Sequence, residues 1–156
     1  MVYKTLFMKN KIICFIPARS GSKSIGNKNL KKINRKTLLE ITVQQAIKSK
    51  RFYKIIVSSD SQKILNNVKK FNVIRLKRSK KNSSDFASTD NALLETLKNI
   101  NFDFDSIVIL QVTSPLRKVE TVKNFVDYCK NKKFDTCCTV TELDEQVGIK
   151  KSFFNP

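Results

Sequence analysis

Apolar runs of strand length alternate with segments of helical period from residue 11 almost to the end of this chain. A strand–helix alternation folds most readily as a parallel sheet, because parallel neighbours need a crossover long enough to hold a helix. Strands are predicted near residues 11–16, 54–58, 72–76, 105–110 and 135–141. In the first, Ile12-Ile13-Cys14-Phe15-Ile16 is the uninterrupted apolar segment of a strand buried on both faces, and Pro17 stops it. A helix at about 37–49 spaces Leu38, Ile41, Val43, Ala46 and Ile47 along one face; a second, at about 61–70, carries Ile64, Leu65 and Val68 behind a Ser61 N-cap. A third runs from Ser88 or Thr89 through Ala92, Leu93, Leu94 and Leu97 to Ile100, and a fourth from Val119 to Lys130 through Val122, Phe125 and Val126. Residues 77–87 make the longest polar loop, and the chain has no internal repeat or low-complexity linker.

At 156 residues the chain is one domain by length, residues 11–156, behind an N-terminal extension of residues 1–10. That is enough to bury about two-thirds of its unfolded surface. Lys and Arg number 31 against 13 Asp and Glu, a formal charge of +18 that raises nucleic acid as a partner. The lysines are scattered through every segment, however, and travel with Asn and Ile, as in a general compositional bias. No aromatic platform or helix-turn-helix accompanies them, and the basic loop Lys77, Arg78, Lys80, Lys81 is the best support for a nucleic-acid module. The expectation is therefore no nucleic acid, and a field that draws in a small polyanion.

Histidine is absent, which removes Ser-His-Asp and Cys-His catalysis and the commonest zinc ligand. Cys14, Cys129, Cys137 and Cys138 show no CxxC and no disulfide spacing, so they read as reduced thiols. No apolar run approaches the roughly 20 residues of a membrane span, and residues 1–10 lack a signal-peptide core. The expectation is a cytoplasmic protein with no membrane partner.

An open parallel sheet binds its ligand beyond the carboxyl ends of its strands, where the strand order reverses. Four polar segments fall on that rim: Arg19 to Asn29, Ser58 to Asp60, Arg78 to Thr89, and Gln111 to Arg117. In the first, Ser20, Gly21, Ser22, Ser24 and Gly26 allow close approach of backbone N–H groups to an anion, while Arg19, Lys23 and Lys28 supply charge. A solvated basic turn is the plainer reading of that stretch taken alone. For Ser58-Ser59-Asp60 a turn with a helix N-cap stands equally well, for Asp85, Ser88 and Thr89 a capping arrangement, and for Thr113-Ser114-Pro115 a strand-ending turn. Gln111 offers the paired donor and acceptor that suit a base edge.

Taken in order, IPARSGSKSIGNKNL, IIVSSDS, the Arg78 loop ending SSDFAST, and LQVTSPLR resemble the acylneuraminate cytidylyltransferases, including the legionaminic and pseudaminic acid relatives, from about residue 11 to 141. The resemblance implies a Rossmann-like, three-layer αβα nucleotide-diphospho-sugar transferase fold, with a mainly parallel sheet and C-terminal elements missing. It implies transfer of CMP from CTP to a nonulosonic acid such as N-acetylneuraminate, releasing pyrophosphate, with Mg2+ as cofactor and a homodimer at full length. Arg19 and Lys28 then match the catalytic cations on the triphosphate. Ser20, Gly21, Ser22, Lys23, Asn29, Arg78, Ser88, Thr89 and Gln111 match nucleotide-binding positions, and Thr113, Ser114 and Arg117 match acid-binding ones.

Two features depart from the family pattern. Ser24 stands where a glycine is common; a positive φ there would strain it by about 1 kcal/mol or more. The chain also stops at Pro156, before the late Asp pair that holds the metal, so no metal ligand is assigned among Glu142, Asp144, Glu145 or elsewhere. Phe153 and Phe154 read as residues meant to pack against something absent. A form that binds CTP but is catalytically impaired is the alternative expectation.

Overall fold

The computed structural model describes residues 11–21, 26–79, 89–131 and 135–139. Its centre is a four-stranded, wholly parallel sheet of β1 (Ile12–Pro17), β4 (Lys54–Ser59), β5 (Ile74–Lys77) and β6 (Ser106–Ile109), in the order β5-β4-β1-β6. β1 is the hub, pairing Ile13 to Lys54 through Pro17 to Ser58 on one side and Ile12 to Ser106 through Phe15 to Ile109 on the other. Its burial on both faces is the reason its sequence shows no alternation. Pro17 is the last strand residue, where its missing N–H does no harm, and the next amide, Ala18, resumes bonding to the Ser58 carbonyl at 2.9 Å.

Along β1, successive side chains feed two cores. Cys14 and Ile16 pack with Val57 against α1 (Leu38–Ser49), α2 (Gln62–Asn67) and α4 (Val119–Asn131), through Leu39, Val43, Ala46, Ile64, Leu65 and Val122. Ile13 and Phe15 pack with Ile56 on the opposite face against α3 (Thr89–Leu97), through Ala92, Leu93 and Leu97. This division follows from crossover handedness. The connections from β1 to β4 and from β4 to β5 step in one direction and put their helices on one face, whereas the return from β5 to β6 crosses to the far side of β1 and puts α3 on the other.

The predicted elements are recovered with shifted ends, except at one place. Residues 135–139, predicted to begin a strand, are exposed and irregular; residues 140–141 lie outside the described residues. The β-branched and cysteine content of that run favours a strand only where a neighbour pairs with it and a core covers one face, and residues 135–139 have neither. The buried stripe of α1 is also rotated from the predicted one: Leu39, Val43 and Ala46 face the sheet, whereas Ile47 is 39% exposed. Thr42 and Ser49 can join the buried side because their hydroxyls donate back to the Leu38 and Ala46 carbonyls. Ser61 precedes α2, but its side chain makes no capping bond.

A hairpin outside the predicted elements precedes α1. β2 (Lys32–Ile33) and β3 (Lys36–Thr37) pair antiparallel around Asn34 and Arg35, both left-handed at φ 48° and 66°, as a tight two-residue hairpin turn requires.

Candidate functional site

Strand order reverses between β1 and β6, so the loops leaving these two strands flank the switch point, with those of β4 and β5 alongside. Arg19 and Ser20 leave β1 and are half-buried. Asn29 sits in a 3₁₀ turn, Lys28–Leu30, and its Nδ2 donates to the Arg19 carbonyl at 2.7 Å, closing the loop on itself. Lys28 opens that turn and Leu30 drops onto the core beneath it. Asn27, at φ 53°, makes the left-handed bend into the turn. Among the described residues the glycines, by contrast, are not called for: neither Gly21 nor Gly26 has a positive φ, and a Cβ added at either would meet none of those residues within 4 Å. Ser22, Lys23 and Ser24 lie outside the described residues, as does Ser88.

Ser20 is tied to the end of β4. Its N–H donates to Asp60 Oδ1 at 2.9 Å and its hydroxyl to Oδ2 at 2.5 Å. Burial pushes the Asp60 carboxyl up, but the Ser20 hydroxyl and amide, its own backbone and the Arg78 charge together outweigh burial and hold it below the usual carboxylate range. Arg78 follows β5, its amide donating to the Ser59 carbonyl at 3.0 Å, and it is only 7% exposed. Burial lowers the proton affinity of its guanidinium; Asp60 and Glu95 offset this, and the like charge of Arg19 adds to it. Arg19, Ser20, Asn29, Asp60 and Arg78 thus form one cluster. Asp60 is its unpredicted member, since a turn-and-cap role was an equal reading of its motif.

Beyond β6, Gln111, Thr113 and Ser114 are exposed and Val112 is buried. The loop is tightened by Ser114 N–H to the Gln111 carbonyl at 3.4 Å, and Arg117 Nη2 donates to the same carbonyl at 3.1 Å. Buried Gln45 of α1 fixes the far side: its Nε2 donates to the carbonyls of Pro115 at 2.8 Å and Arg117 at 2.5 Å, while Arg117 Nη1 donates to its Oε1 at 3.3 Å. Arg117, expected as a substrate contact, therefore spends part of its guanidinium holding its own loop. Thr89 is the first residue of α3.

Arg117 also lines an open cleft of about 410 Å³ on the flank of α1, with Ile33, Lys36, Ile41 and Lys48; none of Arg19, Asn29, Asp60 and Arg78 lines it. The cleft is thus separate from the cluster at the strand ends.

Among the described residues no three acidic, cysteine or histidine side chains gather as a metal site. Both oxygens of Asp60 are engaged by Ser20 and both of Glu95 by Ser79, whose N–H and hydroxyl lie at 2.7 and 3.1 Å. The described residues do not by themselves fit a divalent cation, and no step below runs through one. No helix among them is long and apolar enough to cross a membrane.

The chain is similar to known proteins in sequence and in fold. The family model described as cytidylyltransferase matches residues 13–156. N-acylneuraminate cytidylyltransferase of Escherichia coli is 38% identical over 120 residues, covering 74% of this chain and 28% of the relative. CMP-N,N'-diacetyllegionaminic acid synthase of Legionella pneumophila is 33% identical over 124 residues, covering 77% and 53%. The chain thus spans about half or less of the length of these relatives. The solved structure of CMP:2-keto-3-deoxy-manno-octonic acid synthetase complexed with CTP superposes with a TM-score of 0.66 at 21% identity, over 78% of this chain and 48% of that one, which shows the shared fold. A parallel sheet with its polar cluster at the strand ends, matched by the family model over nearly its whole length, makes this chain a member of the cytidylyltransferase family.

Proposed function

We propose that this chain forms the CTP-binding part of a nucleotidyltransferase that joins CMP to a nonulosonic acid and releases pyrophosphate. The observation that carries the reading is the convergence of Arg19, Asn29 and Arg78 at the carboxyl ends of the strands, in a chain whose relatives are named for this reaction with sialic-type acids. In this reading the anomeric hydroxyl of the acid attacks the α-phosphorus in line with the departing pyrophosphate. Arg19 and Lys28 stabilise charge developing on the phosphoryl oxygens, and Arg78 holds the nucleotide. Ser22, Lys23, Ser88 and Thr89 extend the nucleotide contacts, Gln111 reads the cytosine, and Thr113, Ser114 and Arg117 face the acid. Magnesium is the cofactor expected with this reaction and would supply charge neutralisation at the phosphates; none of the described residues is assigned to hold it. A cytoplasmic setting accords with the free thiols of Cys14, Cys129, Cys137 and Cys138, and a homodimer with the full-length form.

A second reading, CTP binding with turnover impaired, is favoured by the absence of an acidic metal cluster among the described residues. Pyrophosphate release in the presence of CTP, magnesium and each candidate acid separates the two. Release that needs both CTP and a nonulosonic acid and collapses in Lys28→Ala supports transfer. Cytidine-specific binding without release selects the second reading, and release undiminished in Lys28→Ala contradicts the catalytic role.

A further inference from the structure

Two of the arginines assigned to the nucleotide are followed by a serine, and each serine is held by a carboxylate from a different element. After Arg19, Ser20 donates its N–H and hydroxyl to Asp60 at the end of β4, at 2.9 and 2.5 Å. After Arg78, Ser79 donates its N–H and hydroxyl to Glu95 of α3, at 2.7 and 3.1 Å. The same two-point clamp therefore occurs twice, over sequence separations of 40 and 16 residues. Both carboxylates also act on the Arg78 charge, which Arg19 opposes.

We propose that Asp60 and Glu95 are positioning residues, which fix Arg19 and Arg78 in the geometry that receives the triphosphate by gripping the serine next to each. Bidentate hydrogen bonds to an ionised acceptor are short, strong and directional, and they fix a loop backbone in a way that one neutral bond does not. They also bring negative charge to Arg78, offsetting the repulsion that it feels from Arg19. A further consequence concerns Ser20. Its amide and hydroxyl protons are committed to Asp60, so it serves as the strut of the loop and not as a donor to phosphate. The choice of CTP as ligand rests on the function proposed above; the clamps themselves do not.

The sign of one effect decides between this role and its opposite. A carboxylate beside a triphosphate repels it, so if Asp60 and Glu95 were bystanders or place-holders occupying an anion site, neutralising them would tighten nucleotide binding. If they position the arginines, neutralising them weakens it.

The test uses the whole chain with Asp60→Ala, Asp60→Asn, Glu95→Ala and Glu95→Gln, and reads two quantities. Amide exchange at Ser20 and Ser79, measured without ligand, is expected to quicken by about tenfold or more at the serine whose partner is removed, with the rest of the sheet unchanged. The CTP dissociation constant is expected to rise by about tenfold for each Ala variant, with partial rescue in the Asn and Gln variants that keep one acceptor. Unchanged exchange, or CTP binding that is equal or tighter in the Ala variants, overturns the proposal. If the unaltered chain takes up no CTP, it is the proposed function that fails, and the exchange measurement alone decides whether the clamps hold.

Discussion

Thr37 and Glu40 cap each other across the first turn of α1. The Glu40 N–H donates to Thr37 Oγ1 at 3.0 Å, and the Thr37 N–H donates to Glu40 Oε2 at 2.8 Å. The pair is also anchored outward, Thr37 Oγ1 donating to Asn67 Oδ1 at 2.8 Å and Lys70 Nζ meeting Glu40 Oε1 at 2.5 Å. One turn thereby joins the hairpin, α1, the last residue of α2 and the turn that follows it. Thr37→Ala removes the cap at a buried position and should cost about 1–2 kcal/mol in urea denaturation. Thr37→Ser, which keeps the hydroxyl, should recover most of that loss.

Acid should weaken the fold through the same group. Burial pushes the Glu40 carboxyl up, but the bonds from Lys70 and Thr37 outweigh it and leave the group below its ordinary value of 4.5; Asp60 is likewise held low. A carboxyl depressed in the folded state contributes stability that is complete above the unfolded value and is lost as pH falls through the folded one. Urea midpoints should therefore hold from neutrality down to about pH 5 and then fall progressively below about pH 4. In Glu40→Gln the midpoint should start lower at neutral pH and lose less on acidification. An equal acid slope in both proteins would remove Glu40 from the account.

Phe15, fully buried on the α3 side of β1, tests the packing claim. Phe15→Ala should destabilise by about 3–5 kcal/mol, a large share of the stability of a chain this size. Ile47→Ala, on the exposed side of α1, should change little.

Gln45 should prove more important to the loop beyond β6 than any residue within it. Gln45→Ala leaves the Pro115 and Arg117 carbonyls without their donor and removes an acceptor from Arg117; the expected cost is about 1–3 kcal/mol, with faster amide exchange confined to residues 111–117. Exchange there equal to that of the unaltered chain would mean that Arg117 holds the loop without it.

How much of this could be read from residues alone depended on the range of the contacts. The alternation of apolar runs with helical segments carried the sheet and its helices, because burial of β1 on both faces is written in Ile12 to Ile16. Thr37-Leu38-Leu39-Glu40 carries a legible capping box, and Asn34 a legible turn signal, both of them local patterns. The clamps of Ser20 by Asp60 and of Pro115 by Gln45 bridge 40 and 70 residues, a separation at which no local pattern operates. The buried stripe of α1 departs from the hydrophobic one because Ile47 is exposed, whereas Thr42 and Ser49 are buried with their hydroxyls satisfied by the helix backbone. Residues 135–139 show the converse: suitable residues do not make a strand without a neighbour to pair with.

The central claim, that the loops at the strand ends grip CTP, is tested most directly by calorimetric titration of the chain with CTP, UTP and ATP in the presence of magnesium. Saturable binding of CTP, clearly tighter than that of UTP or ATP and lost in Arg19→Ala, is the predicted result. Equal, salt-sensitive binding of all three nucleotides, as the +18 charge alone would produce, would contradict it.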